Sequence, residues 1–75
     1  MANRWRAHKG ANGEIDSYEK SVSRDRVLCI TRTAIILPDE AGAMAYIRND
    51  NGNCEWAGRM FGSVAAAKRW AEAKL

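Results

Sequence analysis

Residues 45–61 read Ala45-Tyr46-Ile47-Arg48-Asn49-Asp50-Asn51-Gly52-Asn53-Cys54-Glu55-Trp56-Ala57-Gly58-Arg59-Met60-Phe61, and this stretch decides the fold. Asn, Asp and Gly tolerate positive φ, so a run of them at 49–53 between two apolar–polar segments predicts a hairpin loop joining two strands. In the second strand, alternation puts Trp56 and Met60 on one face, with Glu55, Ala57 and Arg59 on the other. Gly58 falls in mid-strand, which predicts a bulge or the close approach of another backbone.

Gly62-Ser63 breaks this strand and opens a helix from Val64 to about Lys74. The Ser63 hydroxyl is placed to accept a bond from a free amide of the first turn. Ala65, Ala66, Ala67, Lys68 and Arg69 are good helix formers. Val64, Ala67, Trp70 and Ala71 recur at three- and four-residue spacing and form the face expected to pack on the sheet. The small alanines let the helix lie close, and Trp70 supplies most of the contact area.

Upstream, residues 26–37 are rich in β-branched side chains (Val27, Ile30, Thr31, Thr33, Ile35, Ile36) and read as one strand, or two with a bend. Pro38 is expected to end it, because it has no amide to donate. Residues 38–42 form either a turn or the acidic first turn of a short helix reaching Ala45. Residues 14–24 admit two readings. Ile15, Tyr18 and Val22 have helical spacing after Asn12, yet Gly10-Ala11-Asn12-Gly13 equally joins two strands, and a hairpin through Trp5 and Ile15 is the preferred reading. The fold expected is α+β: a small antiparallel sheet of three to five strands with a C-terminal amphipathic helix packed on one face.

The chain has 75 residues, a length for one domain spanning residues 1–75. Of its 35 hydrophobic residues 13 are alanine, so large core side chains are few. A domain this small draws only about 3–5 kcal/mol from its core, and a homodimer through a strand edge or uncovered apolar surface fits that shortfall. Two cysteines make neither a disulfide scaffold nor a four-ligand zinc site. No apolar run approaches the roughly 20 residues that span a bilayer, and the polar, basic N-terminus has no signal-peptide stretch, so a cytoplasmic protein with no membrane partner is expected.

The net charge of +3 lies entirely in residues 1–32, with seven basic and four acidic groups; residues 33–75 are neutral. Such a basic patch would meet phosphate or an acidic protein face, or else serve as a solvated surface.

Catalytic chemistry is thinly provided. His8, the single histidine, sits in a polar, basic segment. Cys29 lies in an apolar strand and reads as a small core residue. Cys54 follows the hairpin loop, but no second histidine exists to activate it. Asp39 and Glu40 are adjacent and do not face one another as an acid/base pair. Gly10-x-x-Gly13 is spaced as in the glycine loop of the K-homology RNA-binding fold, but that loop joins two helices and Asn3 to Lys9 is a poor helix. The chain is therefore expected to be no enzyme and to hold no metal or cofactor.

Trp56, Gly58 and Phe61 in the last strand, with Ser63, Ala67 and Ala71 after it, resemble the second half of a three-stranded-sheet DNA-binding domain. That architecture is shared by the plant ethylene-response-factor type and the arm-binding domains of phage integrases. The resemblance implies a helix backing the sheet and an open face whose side chains enter the major groove, with Arg48, Trp56 and Arg59 as contacts. It covers residues 45–74, under half the chain. The hairpin–helix half departs from the pattern in being neutral, with Asp50 and Glu55 among the contacts, and two arginines release few counterions.

In size and make-up the chain, reading as a complete frame from Met1 to Leu75, also resembles accessory proteins of phages and mobile elements, including anti-CRISPR-type inhibitors. That resemblance implies a protein that occupies the surface of a nucleic-acid-handling partner in the host cytoplasm. Arg4, Trp5, Arg6 and Lys9, with Arg24 and Arg26, would form an aromatic-plus-arginine patch for it, since Trp and Arg often carry interface energy. Trp5 alternatively anchors the N-terminal strand in the core, and Trp56 and Trp70 read first as core residues. Protein docking is the leading expectation and DNA reading through Arg48, Trp56 and Arg59 the alternative.

Overall fold

The structure is a computed structural model that describes residues 5–25, 30–49 and 52–75, with the side chains of residues 23–25 and 30 left aside. Five strands are followed by one helix: β1 (Arg6–Lys9), β2 (Ile15–Asp25), β3 (Ile30–Asp39), β4 (Gly42–Asn49), β5 (Cys54–Trp56) and α1 (Val64–Lys74). The strands form one antiparallel sheet in the order β1-β2-β3-β4-β5, each beside its neighbour in sequence. The fold is α+β, with the largest strand number the sequence allowed. Val27 and Cys29 lie outside the described residues.

Local chemistry explains most boundaries. The β1–β2 hairpin closes through bonds from the Gly10 amide to the Glu14 carbonyl (2.7 Å) and from the Gly13 amide to the Gly10 carbonyl (3.0 Å). The Asn12 side chain accepts the Glu14 amide at 3.0 Å, so residues 10–14 are a turn and the helical reading of 14–24 falls. Gly52, at φ +88°, donates to the Asn49 carbonyl (2.9 Å) and shapes the β4–β5 loop as expected.

Pro38 corrects the sequence reading, for β3 runs through it to Asp39, with Pro38 opposite Ala43 and Asp39 opposite Gly42. Ala43 turns both its amide and its carbonyl toward Phe61 (3.0 and 2.8 Å), which makes Pro38–Ala43 a pair without mutual hydrogen bonds. The missing amide therefore points toward β2, whose pairing with β3 stops at Ile36. Glu40 and Ala41 alone make the turn, and the short-helix alternative falls.

The last strand is shorter than its pattern suggested. The Ala57 amide donates to the Ala45 carbonyl at 3.0 Å, and the next backbone pairing is Phe61 with Ala43. Gly58, Arg59 and Met60 thus stand opposite Met44 alone, in a bulge made possible by Gly58 at φ +76°.

Helix α1 begins where expected, Ser63 Oγ accepting the Ala66 amide at 3.1 Å. Ala67 and Ala71 are fully buried in one cluster with Ala34, Ile36, Ala43, Ala45, Ile47, Phe61 and Leu75. Val64 and Trp70 pack against that cluster, and Trp70 meets Phe61 at 5.9 Å between centroids. Alanines on both the sheet and the helix bring the two backbones close. At the last residue of the helix, Arg32 Nη1 donates to the Lys74 carbonyl at 2.6 Å and its Nε to Asn49 Oδ1 at 3.2 Å, tying α1 to β3 and β4.

Candidate functional site

The register sorts the side chains into two sides, because paired residues of neighbouring strands point the same way. One row, Ala7–Tyr18–Ile36–Ala45, belongs to the side that carries the core cluster. The next residues along form a row across all five strands on the opposite side: Arg6–Glu19–Ile35–Tyr46–Trp56. Beside it run Leu37–Met44 and Ser21–Thr33–Arg48–Cys54. No described element covers this second side.

Its surface changes character from β1 to β5. At the β1 end, Glu19 lies between two basic groups, with His8 Nε2 at 2.8 Å and Arg6 Nη2 at 3.8 Å from its carboxylate. In the middle, Ser21 and Thr33 hydroxyls bond at 3.0 Å, and Thr33 and Ile35 are buried. At the β5 end the surface is apolar and exposed. Trp56 is 50% exposed and stacks on Tyr46 with centroids 4.4 Å apart. Met44 and Met60 are 41% and 43% exposed, and with Trp56, Ala45, Gly58 and Arg59 they line a cleft of about 380 Å³. Arg59 spreads its guanidinium over the Phe61 ring at 4.7 Å. Arg48 is exposed and has no carboxylate partner among the described residues. Cys54, paired with Arg48, is an exposed free thiol.

Two sequence expectations change here. Trp56 is not a core residue: its place in the alternation sets it on the side without the helix, and the bulge leaves it open. Arg48 and Trp56 share that side, while Arg59 reaches the cleft from the bulge, so the structure brings all three into one region. The patch expected around Trp5 is divided. Trp5 is half-buried against the core cluster, with the Lys20 and Lys68 ammonium groups 5.8 and 5.6 Å from its ring, whereas Arg6 lies on the opposite side with Glu19. Trp5 thus takes the anchoring role that was its alternative. Lys9 is exposed at the end of β1. Arg4, Arg26 and the side chain of Arg24 lie outside the described residues.

Sequence reasoning passed over Met44, which lines the cleft, and Tyr46, on which Trp56 stacks. The available signal was the alternation of Met44, Tyr46 and Arg48, which places them together whichever side the helix covers.

On the covered side, Lys20 Nζ donates to Glu72 Oε2 at 3.1 Å, and this bond and charge hold the Glu72 carboxyl below its ordinary value. Arg32 lies 3.8 Å from Glu55. Among the described residues no group of three His, Cys, Asp or Glu is arranged to hold a metal ion, and no helix is long and apolar enough to cross a membrane.

No protein-family model matches this chain, and no curated protein or solved structure matches it either.

Proposed function

We propose that this is a non-enzymatic binding protein that docks on a protein partner through the uncovered side of its sheet, at the β5 end. The observation that carries the reading is the group of exposed apolar side chains there: Trp56 stacked on Tyr46, with Met44 and Met60 around one cleft. Large apolar side chains gathered in one exposed place, rather than scattered, mark an interaction surface. Aromatic and methionine side chains suit this role, the one rigid and large in area, the other able to adapt its shape. An inhibitor or accessory protein working by surface occupation, as in phage anti-CRISPR-type proteins, is the class this reading favours.

The test is site-specific photocrosslinking in the source cell. A benzophenone side chain at position 44 is expected to yield one discrete protein adduct, while the same probe at Ala73, exposed on α1, yields none. Adducts of equal strength from both positions, or none from position 44, would overturn the reading.

A second reading is duplex DNA binding by the same side. Arg48 and Trp56 lie together away from the helix, as a sheet-reading module requires. It predicts affinity that falls steeply with salt and is lost on Arg48→Ala. Protein docking is preferred because the cleft is lined chiefly by apolar groups and only two arginines flank it, too few to release many counterions.

A further inference from the structure

We infer that the partner segment is an extended acidic peptide that adds as a sixth strand to the β5 edge, with acidic and apolar residues alternating. The inference rests on the docking reading above and states which chemistry the partner presents.

Two observations support strand addition. β5 is a terminal strand of the sheet, paired with β4 alone. Its hydrogen bonds to β4 come from alternate positions: the Asn53 carbonyl accepts the Asn49 amide at 2.9 Å, and the Ala57 amide donates to the Ala45 carbonyl at 3.0 Å. Alternation then turns the backbone groups of Cys54 and Trp56 outward, away from β4. An added strand would find two amides and two carbonyls at ladder spacing, the usual basis of affinity in peptide capture by a sheet edge. The other edge, β1, is less suited. All four of its residues are exposed, and Arg6 and Lys9 supply the charged decoration that discourages edge pairing.

The side chains on the uncovered side then specify the sequence. A partner residue opposite Cys54 stands beside a small side chain, behind which lies Arg48 with no carboxylate partner among the described residues. A carboxylate there would complete an ion pair. Two positions along, the residue opposite Trp56 faces the cleft of Met44, Trp56 and Met60 and would be apolar. A further two positions along, toward Gly58, Arg59 lines the cleft with its guanidinium over the Phe61 ring and no carboxylate partner among the described residues, which again favours a carboxylate. Charge complementarity thus selects an acidic–apolar–acidic alternation, with both charges outside the apolar centre.

The experiment uses the whole chain, labelled with nitrogen-15, and two blocked heptapeptides, acetyl-Thr-Glu-Thr-Leu-Thr-Glu-Thr-amide and its counterpart with both Glu replaced by Lys. Titration to millimolar peptide is expected to shift the amides of Cys54 and Trp56 and the resonances lining the cleft for the acidic peptide. The lysine peptide should bind at least about tenfold more weakly. Methylating those peptide amides that would pair with Trp56 should abolish the shifts. Trp56→Ala should weaken binding by about tenfold or more. Arg48→Glu should narrow or reverse the preference between the two peptides, a rescue that a merely unfolded variant would not show. Shifts confined to Arg6–Lys9, equal binding of the two peptides, or no shift at millimolar concentration would each overturn the inference. So would association of the protein with itself through Trp56 that excludes the peptide. If the peptides fail while the crosslink at position 44 persists, the docking surface stands and only the strand-addition chemistry falls; loss of both removes the docking reading as well.

Discussion

The two sides of this sheet are made by the same strands from the same alternation, yet they have opposite fates. On one side Ala34, Ile36, Ala45 and Ile47 are all but inaccessible beneath α1. On the other, one residue along each strand, Met44 and Trp56 remain open to 41% and 50%. Side-chain character does not separate them, since a tryptophan, a tyrosine and a methionine lie on the exposed side while alanines fill much of the buried one. What separates them is close approach: small residues let a helix settle on one side, and nothing described settles on the other.

The sharpest way to break this contrast is to truncate one residue from each side. Ile36→Ala is expected to destabilise the protein by about 2–5 kcal/mol, because it empties fully buried volume. Trp56→Ala should cost about 1 kcal/mol or less, reflecting lost stacking on Tyr46. Equilibrium denaturation with urea measures both. Equal costs would mean that the uncovered side is structural and would remove the basis for a docking surface.

A second comparison concerns two glycines that border the cleft strands. Gly42 and Gly58 both have positive φ, but a Cβ on Gly42 would run into the Phe61 carbonyl, while one on Gly58 meets open space. Gly58→Ala is expected to cost about 1 kcal/mol from backbone strain alone. Gly42→Ala should cost clearly more, because the β4–Phe61 pairing must also give way. Thermal melting of the two variants decides it, and the reverse order would show that the bulge, not the pairing beside it, holds the corner.

The smallest effect sharpens the covered side. Lys20 lowers the Glu72 carboxyl below its ordinary value, so ionised Glu72 favours the folded state. This contribution is present above the unfolded value, near 4.5, and is lost as pH falls through the folded one. Glu72 is open to solvent, so the effect is slight and salt-sensitive. The melting temperature of Glu72→Gln should trail the parent at pH 7, and the gap should close as pH falls below 4.5. A constant gap would show that Glu72 acts through packing instead.

Much of the fold was legible in local chemistry. Gly52, Gly58 and Ser63 each impose a backbone conformation without help from distant residues, and each sits where the sequence put it. Pro38 was misread because its acceptability depends on which way Ala43 turns its backbone, and that is set by Phe61, far along the chain. Trp56 was misplaced for a related reason. Period-two patterning says that Trp56 travels with Tyr46 and Arg48, but β3 and β4 are apolar on both sides (Ile35 and Ile36, Tyr46 and Ile47), so the pattern cannot say which side the helix takes. Arg48, Trp56 and Arg59 were singled out as DNA contacts while docking was expected at Arg4, Trp5, Arg6, Lys9, Arg24 and Arg26, and which residues share an open surface was illegible until that choice was made.

The order of the strands in space repeats their order along the chain. Each strand can therefore pair with the one just completed, and only α1 must reach back, to β3 and β4. Short loops keep the entropy lost on closing each pair small, and folding rates rise as contacts become more local. The β3–β4 hairpin, with its two-residue turn, carries both the alanine floor for α1 and Met44 on the cleft wall. A change in its register would therefore reach both sides of the sheet at once.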